Sequence, residues 1–342
     1  LRRPDERDTL FARLSYEKGS YPYRAYYADN PGMLEIDDEL RALSVCGPEG
    51  RLYDVPMGRF PESAFDLLAD IRPLVDGPVS ENRLELSPTD MTSTVKKAAI
   101  AYGGDAAGVA GLNESHYYSH RGRPSGRWGE PVEEILPFGV AIICAMDRGM
   151  IRKAPGVEEA VETTAAYARA ALVSIILARS LRNMGYRARA HMDGDYLVAA
   201  GRVARDAGLG EFGRNSMLVT PRFGPCVRIS VVSTDAPLAP DRATSFGVRD
   251  FCLHCGRCAR KCPAGALAPI RNDEVAESDW KVDTESCYRQ WSAFGSFCSL
   301  CVKNCPISYA GDRGLEGPLP AGRNEVKQYI EGFDAWLERN GE

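Results

Sequence analysis

Nine consecutive positions, Phe138 to Met146, carry no polar or charged side chain. A run of that length and composition predicts a central strand covered on both faces. Downstream, 156–185 reads as one long helix. Glutamates crowd its first turns, arginines its last, and Gly185 makes a natural stop. Around these two elements helix-like and strand-like stretches alternate. A helix runs from Asp90 into Gly103-Gly104, and "AAGVAGL" is a strand. "YRARAHM" is another strand, and "YLVAAGRVARDAG" a second helix. "SMLVTPRFGPCVRISVVST" predicts two strands joined across a Pro/Gly turn. This alternation over roughly 95–235 predicts an α/β or α+β body.

The flanks are patterned differently. Residues 1–90 are rich in Tyr, Pro, Asp and Glu with little sustained periodicity, and "YEKGSYPYRAYYADNPG" reads as an extended, aromatic segment that wraps the body, with lining a pocket as the alternative. A short amphipathic helix is expected at 61–71. Near the end, Val326, Tyr329, Ile330, Phe333 and Leu337 recur at three- and four-residue spacing, predicting a terminal helix from about Asn324 that docks one face. The expected division is a wrapping segment (1–90), the main domain (91–245), a small turn-rich domain (246–310) and a tail with its helix (311–342).

Charged residues make up 26% of the 342 positions and the formal net charge is −5, with no long basic run, which argues against a nucleic-acid partner. The arginines of "YSHRGRPSGRW" read as a solvated or ligand-edge loop. No run of eighteen apolar residues occurs, so no stable membrane association is expected. The first residues lack the apolar core of a signal peptide, and a cytoplasmic location is expected, with export of a longer precursor as the alternative. Neither common nucleotide-binding glycine signature is present, nor is HExxH.

What changes the picture is cysteine. Eight of the eleven fall between 252 and 305, a distribution unlike a disulfide scaffold and better matched to bound metal in a reducing compartment. Cys252, Cys255, Cys258 and Cys262 precede Pro263 as C-x2-C-x2-C-x3-C-P, and Cys287, Cys298, Cys301 and Cys305 precede Pro306. In the two-cluster ferredoxin pattern the fourth cysteine of one group crosses to the other [4Fe–4S] cube. Crossed pairing gives Cys252, Cys255, Cys258 and Cys305 to one cluster, and Cys262, Cys287, Cys298 and Cys301 to the other. Structural zinc, which also takes four thiolates, is the alternative. Two adjacent clusters form an electron wire, which implies redox chemistry in the large body.

The stretch "AGLGEFGRNSMLVTPRFGPCVRISVVSTDAPLAPD", running into the first cysteine group, resembles the corrinoid-dependent reductive dehalogenases. So do "AAIAYGGDAAGVAGLNESHYYS" and the second cysteine group. The resemblance covers roughly 95–310, is strongest over 207–306, and extends more weakly to the epoxyqueuosine reductases. It implies a nitroreductase-like domain holding a cobamide base-off, a ferredoxin-like domain with two [4Fe–4S] clusters, and a small organohalide whose C–halogen bond becomes C–H. An external low-potential donor, such as a ferredoxin or flavodoxin system, would supply electrons. Export leader, membrane anchor and the extra redox domains of larger members are not visible in these residues. A cobamide-dependent reductase of a non-halogenated substrate, or an iron–sulfur electron-transfer subunit, are the other functions in view.

The resemblance also implies a tyrosine proton donor with a cation beside it. Tyr167 is expected in the first role, with Tyr117 and Tyr118 as rivals, and Arg214 in the second. Gly208, Gly210, Gly213, Ser216, Met217 and Thr220 are expected where backbone or small side chains meet the cofactor, and His191 as a polar residue of its pocket.

Overall fold

In a computed structural model of the chain, residues 3–123, 126–269 and 280–340 are described. Its centre is a sheet of β1 (Ala106–Gly111), β2 (Phe138–Ala145), β3 (Ala188–His191) and β6 (Val227–Thr234), in the order β1-β2-β6-β3. Every neighbouring pair is antiparallel, which makes the body α+β. The uninterrupted apolar run of β2 has a direct cause. Val140, Ile142 and Cys144 enter one core, while Ala141 and Ile143 enter a second on the opposite face.

The helices that build these two cores include α4 (Val55–Ile71), α5 (Pro88–Ala101), α7 (Val157–Asn183) and α8 (Ala200–Asp206). On one face α7 lies across β2, β3 and β6, backed by α4 and α5; α8 covers the other. By length and composition α7 could cross a membrane, but most of it is buried as the central core helix. A two-stranded ribbon, β4 (Glu211–Phe212) with β5 (Leu218–Val219), stands apart from the sheet. The two strands expected in 216–234 therefore belong to different sheets. Reciprocal bonds between Thr220 and Gly224 turn the chain between them.

Residues 1–90 differ from the extended wrap expected. They form α1 (Leu10–Leu14), α2 (Tyr21–Asp29), α3 (Leu34–Arg41) and α4. Ser20 caps α2 by accepting from the Tyr23 amide, and Asp54 caps α4 by accepting from Met57, six residues upstream of the helix start read from the pattern. Tyr23, Tyr26 and Tyr27 of α2 pack with Tyr16 and Trp128 rather than lying along the surface, while Tyr21 stays exposed.

The cysteine region carries α9 (Val248–Cys255), α10 (Arg257–Arg260), α11 (Thr284–Phe294) and α12 (Leu300–Lys303), and the chain ends in α13 (Arg323–Arg339). As expected of its stripe, α13 buries Val326 and Phe333. The N-terminal helices reach this region through Arg13, which is paired with the fully buried Asp37 at 3.0 Å and also with Glu285 of α11. Asp37 accepts from Tyr27 as well. Removing one partner of such a pair leaves the other charge buried alone, so Asp37→Ala is expected to lower the unfolding free energy by about 3 kcal/mol, read by chemical denaturation.

Candidate functional site

The eight clustered thiols separate into two groups in space. Cys252, Cys255, Cys258 and Cys305 line one small enclosed hollow together with Gly213 and Arg214. Cys262, Cys287, Cys298 and Cys301 line a far larger cavity of about 500 Å³. Each group draws three cysteines from one sequence motif and one from the other. Burial pushes the Cys252 and Cys298 thiols up to about 12. Such thiols need a metal's positive charge to be thiolates at neutral pH.

The large cavity lies between these thiols and the α7 side of the body. Its far wall holds Thr163 and Tyr167, one turn apart on α7, with Arg228 from the start of β6. The Arg228 guanidinium lies 4.8 Å from the centre of the Tyr167 ring. It donates to the Val227 carbonyl at 3.2 Å and to Thr163 Oγ1 at 3.3 Å, while its buried Nε has no hydrogen-bond partner among the described residues. Burial pushes the Tyr167 phenol up, and Arg228 draws it back toward ionisation. Tyr196 is close by, but its hydroxyl is committed to the Ile229 carbonyl at 2.7 Å.

On α7, Glu159 lies two turns before Tyr167 and is fully buried. One of its oxygens accepts from Thr163 Oγ1 at 2.9 Å and also from the Ser299 hydroxyl. Cys298 and Ser299 occupy left-handed backbone conformations, with φ of 65° and 42°, which are costly for residues with a Cβ. The Glu159 contact helps hold this turn against α7. Gly194, at φ 83°, forms another part of the wall, where a Cβ would come within 2.8 Å of the Arg72 guanidinium.

Tyr117 and Tyr118 do not line this cavity. Tyr117 is buried in the second core and exchanges hydrogen bonds with both backbone groups of Leu136. Arg214 requires a correction. It is almost completely buried beside the first thiol group, away from Tyr167. It donates to the carbonyls of Cys252, Ala268 and Pro269 at 3.0–3.2 Å and lies 5.0 Å over Trp280. The cation beside the tyrosine is Arg228.

His191 is corrected too. It is fully buried at the end of β3, one ring nitrogen 2.8 Å from Ser233 Oγ and the other accepting from the Leu197 amide, and no histidine is among the described residues that line the cavity. Of the expected cofactor contacts, Met217 lines the large cavity and Gly213 the small hollow. Gly208 and Gly210 instead pack against the backbones of Arg242 and Val219. Thr220 closes its own turn, and Ser216 ties its loop to the Trp280 carbonyl. Sequence reasoning missed Arg228, Thr163 and Arg72. The one signal for Arg228 is a charge at the mouth of a strand that is otherwise uncharged.

Arg214→Ala removes a guanidinium that ties together three carbonyls around the first thiol group. A loss of about 2–4 kcal/mol of stability is expected, together with reduced iron retention. Lysine, lacking the planar fork, should recover only part of it. Denaturation curves and iron content of the two variants check this.

Residues 251–308 match the family model described as a 4Fe-4S dicluster domain. The tetrachloroethene reductive dehalogenase of Desulfitobacterium hafniense (strain Y51) is 33% identical over 304 residues, 75% of this chain and 55% of its own. The enzyme of the same name from Sulfurospirillum multivorans is 31% identical over 261 residues, 65% and 51% respectively. The chain thus spans about half the length of the curated relatives it matches. Among solved structures, the catabolic reductive dehalogenase NpRdhA in complex with 3-bromo-4-hydroxybenzoic acid superposes with a TM-score of 0.69 at 25% identity, covering 84% of this chain and 44% of the other.

Proposed function

Starting from a chain that is homologous to the reductive dehalogenases and shares their fold, we propose that it reduces an organohalide with a cobamide and two [4Fe–4S] clusters. The carbon–halogen bond breaks, a carbon–hydrogen bond forms, and two electrons and one proton are consumed as halide leaves. The observation that carries this reading is the single cavity with Tyr167 and Arg228 on one wall and four cysteines on the other. An electron carrier alone has no use for such a chamber.

The residues present fit the groups the reading requires. Cys252, Cys255, Cys258 and Cys305 would hold one cluster, and Cys262, Cys287, Cys298 and Cys301 the one beside the cavity. The chamber is large and mostly apolar in lining. A cobamide would be held there with Met217 among the residues that touch it and His191 taking no part. When bound, the clusters supply single electrons at low potential and the cobamide delivers them in pairs to the carbon–halogen bond.

The protein's own part is to hold the proton and exclude water. Tyr167 carries that proton on its hydroxyl, since a buried phenol stays protonated at neutral pH. Arg228 stabilises the phenolate left after transfer, and Thr163 fixes the guanidinium in place. Cys46, Cys144 and Cys226, which belong to neither group, form no disulfide, which supports work in a reducing, cytoplasmic compartment. A small external donor such as a ferredoxin or flavodoxin would feed the clusters.

The test is halide release by protein reconstituted anaerobically with iron, sulfide and cobamide, against a panel of organohalides under a low-potential reductant. Stoichiometric halide with the C–H product is expected. Retained clusters and cobamide, without halide from any member, would reject the reaction.

A further inference from the structure

The two thiol groups face different surroundings. Cys262, Cys287, Cys298 and Cys301 look into the reaction chamber, so electrons from outside arrive first at Cys252, Cys255, Cys258 and Cys305. Most approaches to that second set are closed. Arg214, Val219 and Phe251, which line its hollow, are each 1% exposed, and Asn215 and Pro306 are buried with them. Behind this wall lies a core with Ile307 and Val326, and Tyr329 of α13 stands edge-on to Phe251 at 5.2 Å.

The open side is α10. This single turn buries none of its residues. It carries the ligand Cys258, with Arg260 two residues on and Lys261 next to it. Both cations are exposed, and neither forms an ion pair among the described residues. Arg257, at the start of the turn, is engaged inward: it pairs with Asp334 of α13 at 2.6 Å and lies over the Phe333 ring. Burial pushes the Cys255 thiol up, while Arg260 and Arg257 draw it back toward the thiolate. Arg260 is thus within electrostatic reach of the ligand set and open to solvent at once.

From Arg257 to Pro263 the chain holds three cations and no acid, in a protein of formal net charge −5. A local patch of opposite sign to the rest of a molecule orients a charged partner as it approaches. Carboxylates match both kinds of cation here, with a guanidinium fork at Arg260 and a point charge at Lys261.

We propose that α10 is the docking surface of the electron donor, a small acidic iron–sulfur carrier protein whose carboxylates meet Arg260 and Lys261. The carrier loses one electron as the cluster on Cys252, Cys255, Cys258 and Cys305 gains one, and two such encounters supply one turnover. The need for a donor rests on the proposed function; charge-guided reduction of the clusters requires neither cobamide nor a halogen.

Rapid-mixing EPR tests this by counting reduced cubes after the protein, loaded with clusters and cobamide, meets an excess of a pre-reduced acidic plant-type [2Fe–2S] ferredoxin. The second-order rate constant is expected to fall about 10-fold from low to high ionic strength. Arg260→Glu and Lys261→Glu should each lower it by about 3- to 10-fold at low salt and flatten that dependence. Lys97→Glu makes the same change of net charge at an exposed position of α5 and should leave the rate within about twofold. Arg260→Gln and Lys261→Gln, which remove charge without reversing it, should fall between and replace any reversal that lowers iron content. Reduced methyl viologen, a small cation, should reduce every variant at least as fast as the wild type. A salt-independent rate, or α10 variants no slower than Lys97→Glu, overturns the proposal. So does equal slowing with ferredoxin and viologen, which places the damage in the cluster and not in docking. Halide release is assayed in the same preparations. Charge-dependent reduction without halide supports the docking surface and rejects dehalogenation, and halide release with charge-independent reduction does the reverse.

Discussion

Replacing Tyr167 with Phe lowers halide release by about 100-fold, the usual contribution of a positioned general acid. The ring remains, so its contact with Phe65 and its place under the Arg228 guanidinium are kept. Only the hydroxyl is lost, and with it the proton. The fall should appear in kcat with KM little changed, because the group acts as the C–H bond forms. Iron and cobamide contents stay at wild-type levels. Full activity in this variant would move the donor elsewhere. Tyr196, whose hydroxyl is held by the Ile229 carbonyl, is then the first residue to replace, and water the other candidate.

A larger loss is expected from the cysteines, and its pattern tests the crossing. Cys262→Ala and Cys305→Ala each remove one thiol from a different spatial group, although each sits at the end of the opposite sequence motif. The wild-type protein should hold about eight iron and eight sulfide per chain, and each variant about four. Cys262→Ala should abolish turnover, because the group it belongs to is the one that faces the cavity. Its remaining cluster should match, by EPR, the one missing from Cys305→Ala. If instead Cys262→Ala and a Cys252→Ala variant lose the same cluster, ligands follow sequence order and the crossing is wrong.

Where one physical effect dominated a segment, it could be read from the chain. Double-sided burial makes β2 an unbroken apolar run, and α7 carries its glycine stop and its charge gradient in plain view. The thiol groups were legible because ligand spacing is constrained by the size of a cluster rather than by the rest of the fold. The N-terminal helices were legible only over 61–71, the later part of α4. Gly58 and Pro61 argue locally against helix in α4, yet α2 and α4 form because Ser20 and Asp54 cap them and partners distant in sequence, Trp128 and α7, cover them. The two arginines show the same limit within the site. Arg214 follows three glycines, a setting that leaves room for a ligand, but its side chain turns inward to the carbonyls of Cys252, Ala268 and Pro269. Arg228 reaches Tyr167 only because β6 pairs with β2 and lies beneath α7. Neither contact is local.

Glu159 and Tyr167 share one helix, eight residues and thus about 12 Å apart along its axis. The first grips the turn that carries Cys298, and the second presents the hydroxyl to the chamber. The electron port and the proton source are therefore two marks on the same ruler. Because α7 is the buried core helix, the distance between them is set by the helix itself and not by how the loops around the chamber pack.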